Sequence, residues 1–139
     1  MWSVCAGRNF STVKYAFKDL VDVLRLQELT DELYAATGIP SAIITMDGEV
    51  LTGSGWQRIC TEFHRKHPEI EKDCIASDVA IRKGLDAGEP YVMYRCPRGL
   101  VDASSPVLLE GEHVANVFAG QLFTDPPDER TEQFFRAQA

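Results

Sequence analysis

Apolar positions along this chain fall into helical and extended periods, and glycine or proline marks most of the breaks between them. Trp2, Phe10, Tyr15 and Phe17 show no clear period, so residues 1–18 read as an N-terminal extension. From Asp19 or Asp22, either of which can cap a helix, Leu26, Leu29, Leu33 and Ala36 recur every three or four residues. Gly38 stands where a helix-ending glycine belongs, and Pro40 prevents continuation. Ser41 to Thr45 and Glu49 to Thr52 flank Met46-Asp47-Gly48. An Asp-Gly pair between β-branched runs predicts a hairpin with positive φ at both turn positions. Trp56, Ile59, Cys60, Phe63 and His64 predict a second helix with all five on one face, ended by Lys66-His67-Pro68. A third helix is predicted from about Glu71 to Ala87, with Cys74, Asp78, Ile81 and Leu85 as its stripe, stopping at Gly88 before Pro90.

The stretch from Tyr91 to Phe123 reads as three antiparallel strands. Cys96 closes the first run, Pro97-Arg98-Gly99 turn the chain, and Leu100 to Leu109 follow. Glu110-Gly111-Glu112 make the second turn before His113 to Phe123. In the last run Ala115, Val117, Ala119, Gln121 and Phe123 share one face, and small side chains with a few polar ones are how a compact fold lines a cavity. Asp125-Pro126-Pro127-Asp128 then open a last helix with Phe134 and Phe135 as its buried residues. That helix is barely two turns old at Ala139, so the domain, 19–139, is expected to be incomplete at its C-terminus. The order of elements predicts an α+β fold of the PAS type. It has a five-stranded antiparallel sheet, helices inserted between strands 2 and 3, and a helix at each end.

Composition narrows the function. A chain of 139 residues with 45% hydrophobic and 25% charged residues has one core and no case for disorder. A net charge of −7 and the lack of a Lys/Arg cluster argue against direct nucleic-acid binding. No apolar run spans a bilayer and no secretory signal is visible, so the expectation is a cytoplasmic chain with no membrane partner. Its thiols are then reduced.

Of the four cysteines, Cys60, Cys74 and Cys96 lie on the predicted second helix, third helix and first meander strand, and His64 is one turn from Cys60. Three thiols and an imidazole can hold zinc or an iron–sulfur centre, with Cys5 as a further thiol, and the same cysteines can serve redox sensing. Against this, the chain has no C-x-x-C pair, and free cysteine is also a small buried apolar residue. No cofactor is otherwise expected. Nothing places His64, His67 or His113 beside Cys96 as a base, and no oxyanion donor is apparent, so no enzymatic activity is expected. Asp102 shares a strand face with Leu100 and Ser104 and can accept hydrogen bonds from ligand hydroxyls, or cap turn amides. Asp78, with Ser77, sits among residues of core character and either reaches the pocket or fixes the helix to the sheet. Tyr94 and Arg95 alternate, so one faces in and the other out, and Tyr94 lines the pocket only if Cys96 also faces in. Trp56 is read as core or pocket wall.

Several stretches together resemble the PocR-type sensory domain, a PAS-like module of prokaryotic regulators and sensor kinases. They are DLVDVLRLQELTDELYAATG, Cys60 in a helix ending at a basic residue and Pro68, Cys74 with Ser77-Asp78, YRCPRGLVDASSP, and EGEHVANVFAGQ. The resemblance covers roughly 19–138. It implies a ligand-sensing module for simple hydrocarbon derivatives such as short alcohols or diols, and it favours Gln121 as a ligand contact because PAS-like domains bind on that part of the sheet. It also implies a fused or partner output domain, DNA-binding or histidine kinase. A homodimer paired through the Asp22 to Thr37 helix is a further expectation.

Overall fold

The computed structural model describes residues 15–138, so Cys5, Trp2 and Phe10 lie outside the described residues. A four-residue helix α1 (Phe17–Leu20) leads into α2 (Val23–Thr37). Asp22 caps α2 by accepting the Arg25 N–H at 3.1 Å, and Gly38 ends it at φ 69° with its N–H on the Tyr34 carbonyl. Strands β1 (Ser41–Thr45) and β2 (Val50–Ser54) form the hairpin. Its turn differs from expectation. Only Gly48 takes positive φ, at 91°, whereas Asp47, expected to share it, does not, and its carboxylate accepts from the Thr45 hydroxyl.

The predicted second helix is not a regular α-helix. Ile59–Phe63 form one turn of π-helix and His64–Lys66 a 3₁₀ turn, and Trp56 stands outside both. Phe63, expected on the buried face, is 40% exposed, because the wider π turn rotates it away from Cys60 and His64. Helix α3 (Pro68–Ala80) begins with Pro68 in its first turn, three residues earlier than predicted, and a break at Ile81 separates it from α4 (Arg82–Asp86). The expected stripe holds: Asp78, Ile81 and Leu85 are buried and Cys74 is half-buried.

Strands β3 (Val92–Arg95), β4 (Val101–Leu109) and β5 (Glu112–Leu122) complete one antiparallel sheet in the order β2-β1-β5-β4-β3, with α3 and α4 inserted between β2 and β3. Helix α5 (Glu129–Arg136) follows, started by Asp128, which accepts the Thr131 N–H at 2.8 Å. This is the α+β, PAS-like arrangement expected of the sequence.

The inner sheet face packs on α3 and α4. Ala42, Ile44 and Phe118 meet Ile81 and Leu85 there, and Trp56, Val92 and Tyr94 border the cluster. On the opposite face α2 packs over β2 and β1. Gln27 takes both the N–H (3.0 Å) and the C=O (3.2 Å) of Gly53, satisfying part of an edge strand. The leucine stripe of α2 is nevertheless largely open: only Thr30 is buried, and Leu29 and Leu33 are nearly half exposed.

The expected face of β5 is overturned. Asn116, Phe118 and Gly120 point inward, whereas Val117 and Phe123 are 38% and 44% exposed and Ala119 is also exposed; Ala115 alone of the set expected to line the cavity is fully buried. Gln121 still reaches the inner side, because its own backbone turns to φ 60° opposite a register shift at Val101/Asp102. Gly120 faces Asp102 so closely that an added Cβ would fall 2.1 Å from its carboxylate oxygen. Gly120→Ala is expected to destabilise the domain by about 1–3 kcal/mol, read as a lower urea midpoint at unchanged slope.

Candidate functional site

Two small cavities lie at the end of the inner face where β1, β4 and β5 meet the π-helical segment and α3. One, of about 40 Å³, is walled by Cys60, His64, Cys74, Ser77, Cys96, Arg98 and Leu100; the other, of about 30 Å³, by Pro40, Ser41, Ala42, Ile44, Trp56, Phe118 and Gly120. They share Arg65, Asp78, Asp102 and Gln121, which form the partition between them. Each is of the order of a single water, which occupies roughly 30 Å³ in the liquid, so only a molecule of few atoms suits them. A wider cleft of about 520 Å³ opens beside α5, but none of the predicted site residues lines it.

The partition is a charged network. Arg65 donates to Asp78 at 2.7 Å with both side chains largely buried, and its guanidinium lies 4.9 Å from the centre of the Trp56 ring. Trp56 is held in turn by its indole N–H on the Ser41 carbonyl at 3.0 Å. The Tyr94 hydroxyl reaches the other oxygen of Asp78 at 3.3 Å. Burial pushes the Asp78 carboxyl above the ordinary carboxylate range, against the pull of Arg65 and Tyr94. Burial also raises the Tyr94 phenol, which therefore acts as a neutral donor.

Asp102 is arranged differently. Its Oδ1 accepts the Gln121 N–H at 2.7 Å, and among the described residues no donor reaches Oδ2. Burial raises its pKa, opposed by the Gln121 N–H and helped by the nearby charge of Asp78. Gln121 is fixed as well, since its Oε1 accepts the Gln57 N–H at the start of the π-helical segment. Sheet and helical wall are thus tied together at the cavity.

Six of the eight predicted ligand residues, Cys60, Cys74, Asp78, Cys96, Asp102 and Gln121, line the larger cavity. Trp56 lines the smaller one, and Tyr94 lines neither but anchors Asp78 from behind. Arg95 points outward to the Gly99 carbonyl and Thr124, as the alternation with Tyr94 requires. The three thiols and His64 do converge on one wall. Among the described residues, however, no three or more His, Cys, Asp or Glu side chains stand close enough to hold a metal ion, so these four form no ligand set for zinc or an iron–sulfur centre. Burial, with the neighbouring Cys96 and Cys74, pushes the Cys60 thiol up to about 12, and burial raises Cys74 too. Thiols held protonated in this way are poor nucleophiles and poor redox centres.

Sequence reasoning missed Arg65, Arg98 and Gly120. Arg65 read only as the basic end of a helix, and Arg98 as part of a turn. Gly120 did carry a signal, because a glycine inside a strand often marks a close approach.

The raised Asp102 carboxyl fixes a sign for the pH dependence. Its folded pKa lies above its unfolded value, so its protonation favours the folded state below the unfolded pKa, and that contribution is lost as pH rises through the folded value. Urea titrations of the wild type and Asp102→Asn from pH 3.5 to pH 7.5 are therefore expected to diverge. The variant gains stability relative to wild type as pH rises. A constant difference would contradict the placement of this carboxyl.

The comparisons with known proteins agree with this architecture. The chain is 27% identical over 100 residues to the protein named Regulatory protein PocR from Salmonella typhimurium, an alignment covering 70% of this chain and 32% of that protein. The chain thus matches about a third of the length of that curated relative. No helix among the described residues is long and apolar enough to cross a membrane. The model of a sensory domain found in PocR matches residues 19–139, nearly the whole fold described above, and the chain belongs to that family of sensory domains.

Proposed function

We propose that this sensory domain binds a small, uncharged polar organic molecule, such as a short alcohol or diol, between the inner sheet face and the helical wall. We further propose that it passes occupancy to an output domain, DNA-binding or histidine kinase, in the same or a partner protein. The observation that carries the reading is Asp102. Its carboxylate lines both cavities with one oxygen on a backbone amide and the other without a donor among the described residues, and the neighbouring Arg65 is already engaged by Asp78. A buried acceptor of this kind is stabilised by a donor supplied from outside, and a hydroxyl is a neutral one. The thiols of Cys60, Cys74 and Cys96 with Leu100 give a weakly polar lining for a short carbon chain. Binding, with no reaction assigned, is the activity this arrangement supports.

A thermal-shift screen of short alcohols, diols, acids and aromatic compounds tests it. Saturable stabilisation by an alcohol or diol is expected, with short acids excluded by the two carboxylates. Asp102→Asn keeps an oxygen for the Gln121 N–H but sets an amide N–H where the open oxygen stood, so it is expected to weaken binding at least ~10-fold. No response to any compound in the wild type, or an equal response in the variant, contradicts the proposal.

A further inference from the structure

The outer face of the sheet is covered along only part of its width. Strand register places Ser54, Ser41, Ala119, Ala103 and Met93 in one row across β2, β1, β5, β4 and β3, and Thr52, Ile43, Val117 and Ser105 in the next. Directly paired residues share a face, and Ser54 bonds Thr30 and Asp31 of α2, so both rows lie on the α2 side. In both rows burial fades past β1. Ser54, Ser41, Thr52 and Ile43 are buried, whereas Ala119, Val117, Ser105 and Met93 are exposed, Met93 at 59%. An antiparallel sheet that leaves one face to water alternates polar side chains onto it. In a chain with 25% charged residues, none of the open positions in these rows is charged, and most are apolar. Their composition is that of a covered face.

Helix α2 has the converse property. Polar groups tie it to its own sheet: Gln27 on Gly53, and Thr30 and Asp31 on Ser54, with the Tyr34 ring against Gly55. Leu26, Leu29, Leu33 and Ala36 lie roughly a third of a turn round the helix from those groups, and Leu33 is 49% exposed. The chain thus carries both a leucine ridge that its own fold does not use and an uncovered face of small side chains.

We propose that these two surfaces cover one another in a two-fold dimer, the α2 leucine ridge of each copy lying on the open β5–β4–β3 face of the other. A second copy is the occupant the surfaces select. Each supplies what the other lacks, and one two-fold axis buries both at once. No charge leaves the water at any of these positions, although the chain carries −7 overall. Ridge and open face together expose on the order of 600 Å² per copy, the lower end of what a specific interface buries on each side. A dimer of micromolar strength is therefore expected. The pairing is independent of the Asp102 cavity, which lies on the inner face of the sheet.

Sedimentation equilibrium of the whole chain tests the proposal. The wild type is expected to pass from monomer to dimer over the micromolar range. Leu33→Glu on the ridge and Val117→Lys on the sheet are each expected to weaken dimerisation at least ~100-fold, because each buries a charge without a partner. Circular dichroism is expected to stay unchanged, since both side chains are partly exposed in the single copy. Met93→Lys, on the edge strand, replaces Val117→Lys if that variant does not fold. A one-to-one mixture of the ridge and sheet variants is expected to regain a dimer that neither forms alone, since it pairs the intact ridge of one with the intact face of the other. A wild type that stays monomeric throughout that range overturns the proposal, as does a mixture that stays monomeric. A folded sheet variant that dimerises like the wild type while Leu33→Glu does not would mean that the helices pair ridge to ridge, and overturns it too. So does a Leu33→Glu protein that dimerises like the wild type.

Discussion

The structure depends on keeping carboxylates inside a small domain. Asp78 and Asp102 both sit between sheet and helices, where an ionised oxygen without partners is costly, and the surroundings answer each differently. Asp78 is neutralised by Arg65 and held by Tyr94, and Arg65 is itself steadied over Trp56. Removing Arg65 would therefore leave a charge stranded, a change that typically costs several kcal/mol. Asp102 has only a backbone amide, made available because Gln121 adopts a positive φ and Gly120 has no side chain. A core built for stability alone would place an apolar residue there. The incomplete satisfaction of Asp102 is the feature on which the proposed ligand site rests.

Around that carboxylate, irregular backbone does the positioning. The π-helical turn sets Cys60 and His64 on one wall, and the Gln57 N–H at its start holds the Gln121 amide. The β3–β4 turn carries Cys96 and Arg98 toward the cavity and Gly99 toward α5. A change in what fills the cavity would therefore press on a turn that contacts the C-terminal helix. Phe123, Phe134 and Phe135 stack edge to face on the far side of that turn, so the helix is docked through few contacts. Elements held this lightly are those that a binding event can shift at small cost.

Much of this was legible in the residues. The capped α2 helix, the Asp-Gly hairpin, the stripe of α3 and the three-stranded meander all follow from local patterns that tertiary packing does not oppose. Six of eight site residues also fall on one cavity, because Cys74 with Asp78 and Tyr94 with Cys96 obey simple helical and strand periods. The face of β5 was misread for a physical reason. Strict alternation puts Gln121 with Val117 and Ala119, but a register shift and a left-handed residue break the period at the place where the site needs it. The π turn was equally invisible, since its apolar spacing mimics an α-helix. Arg65 and Arg98 act through contacts made across 13 and 25 residues of sequence, which no local window reports.

The central claim is the proposal that the space between Asp102 and the cysteine wall is a ligand site. A crystal structure of the domain grown with 1,2-propanediol addresses it directly. The account requires one diol in that space, with a hydroxyl on the open oxygen of Asp102. Water alone in the cavity, at saturating diol, would contradict it.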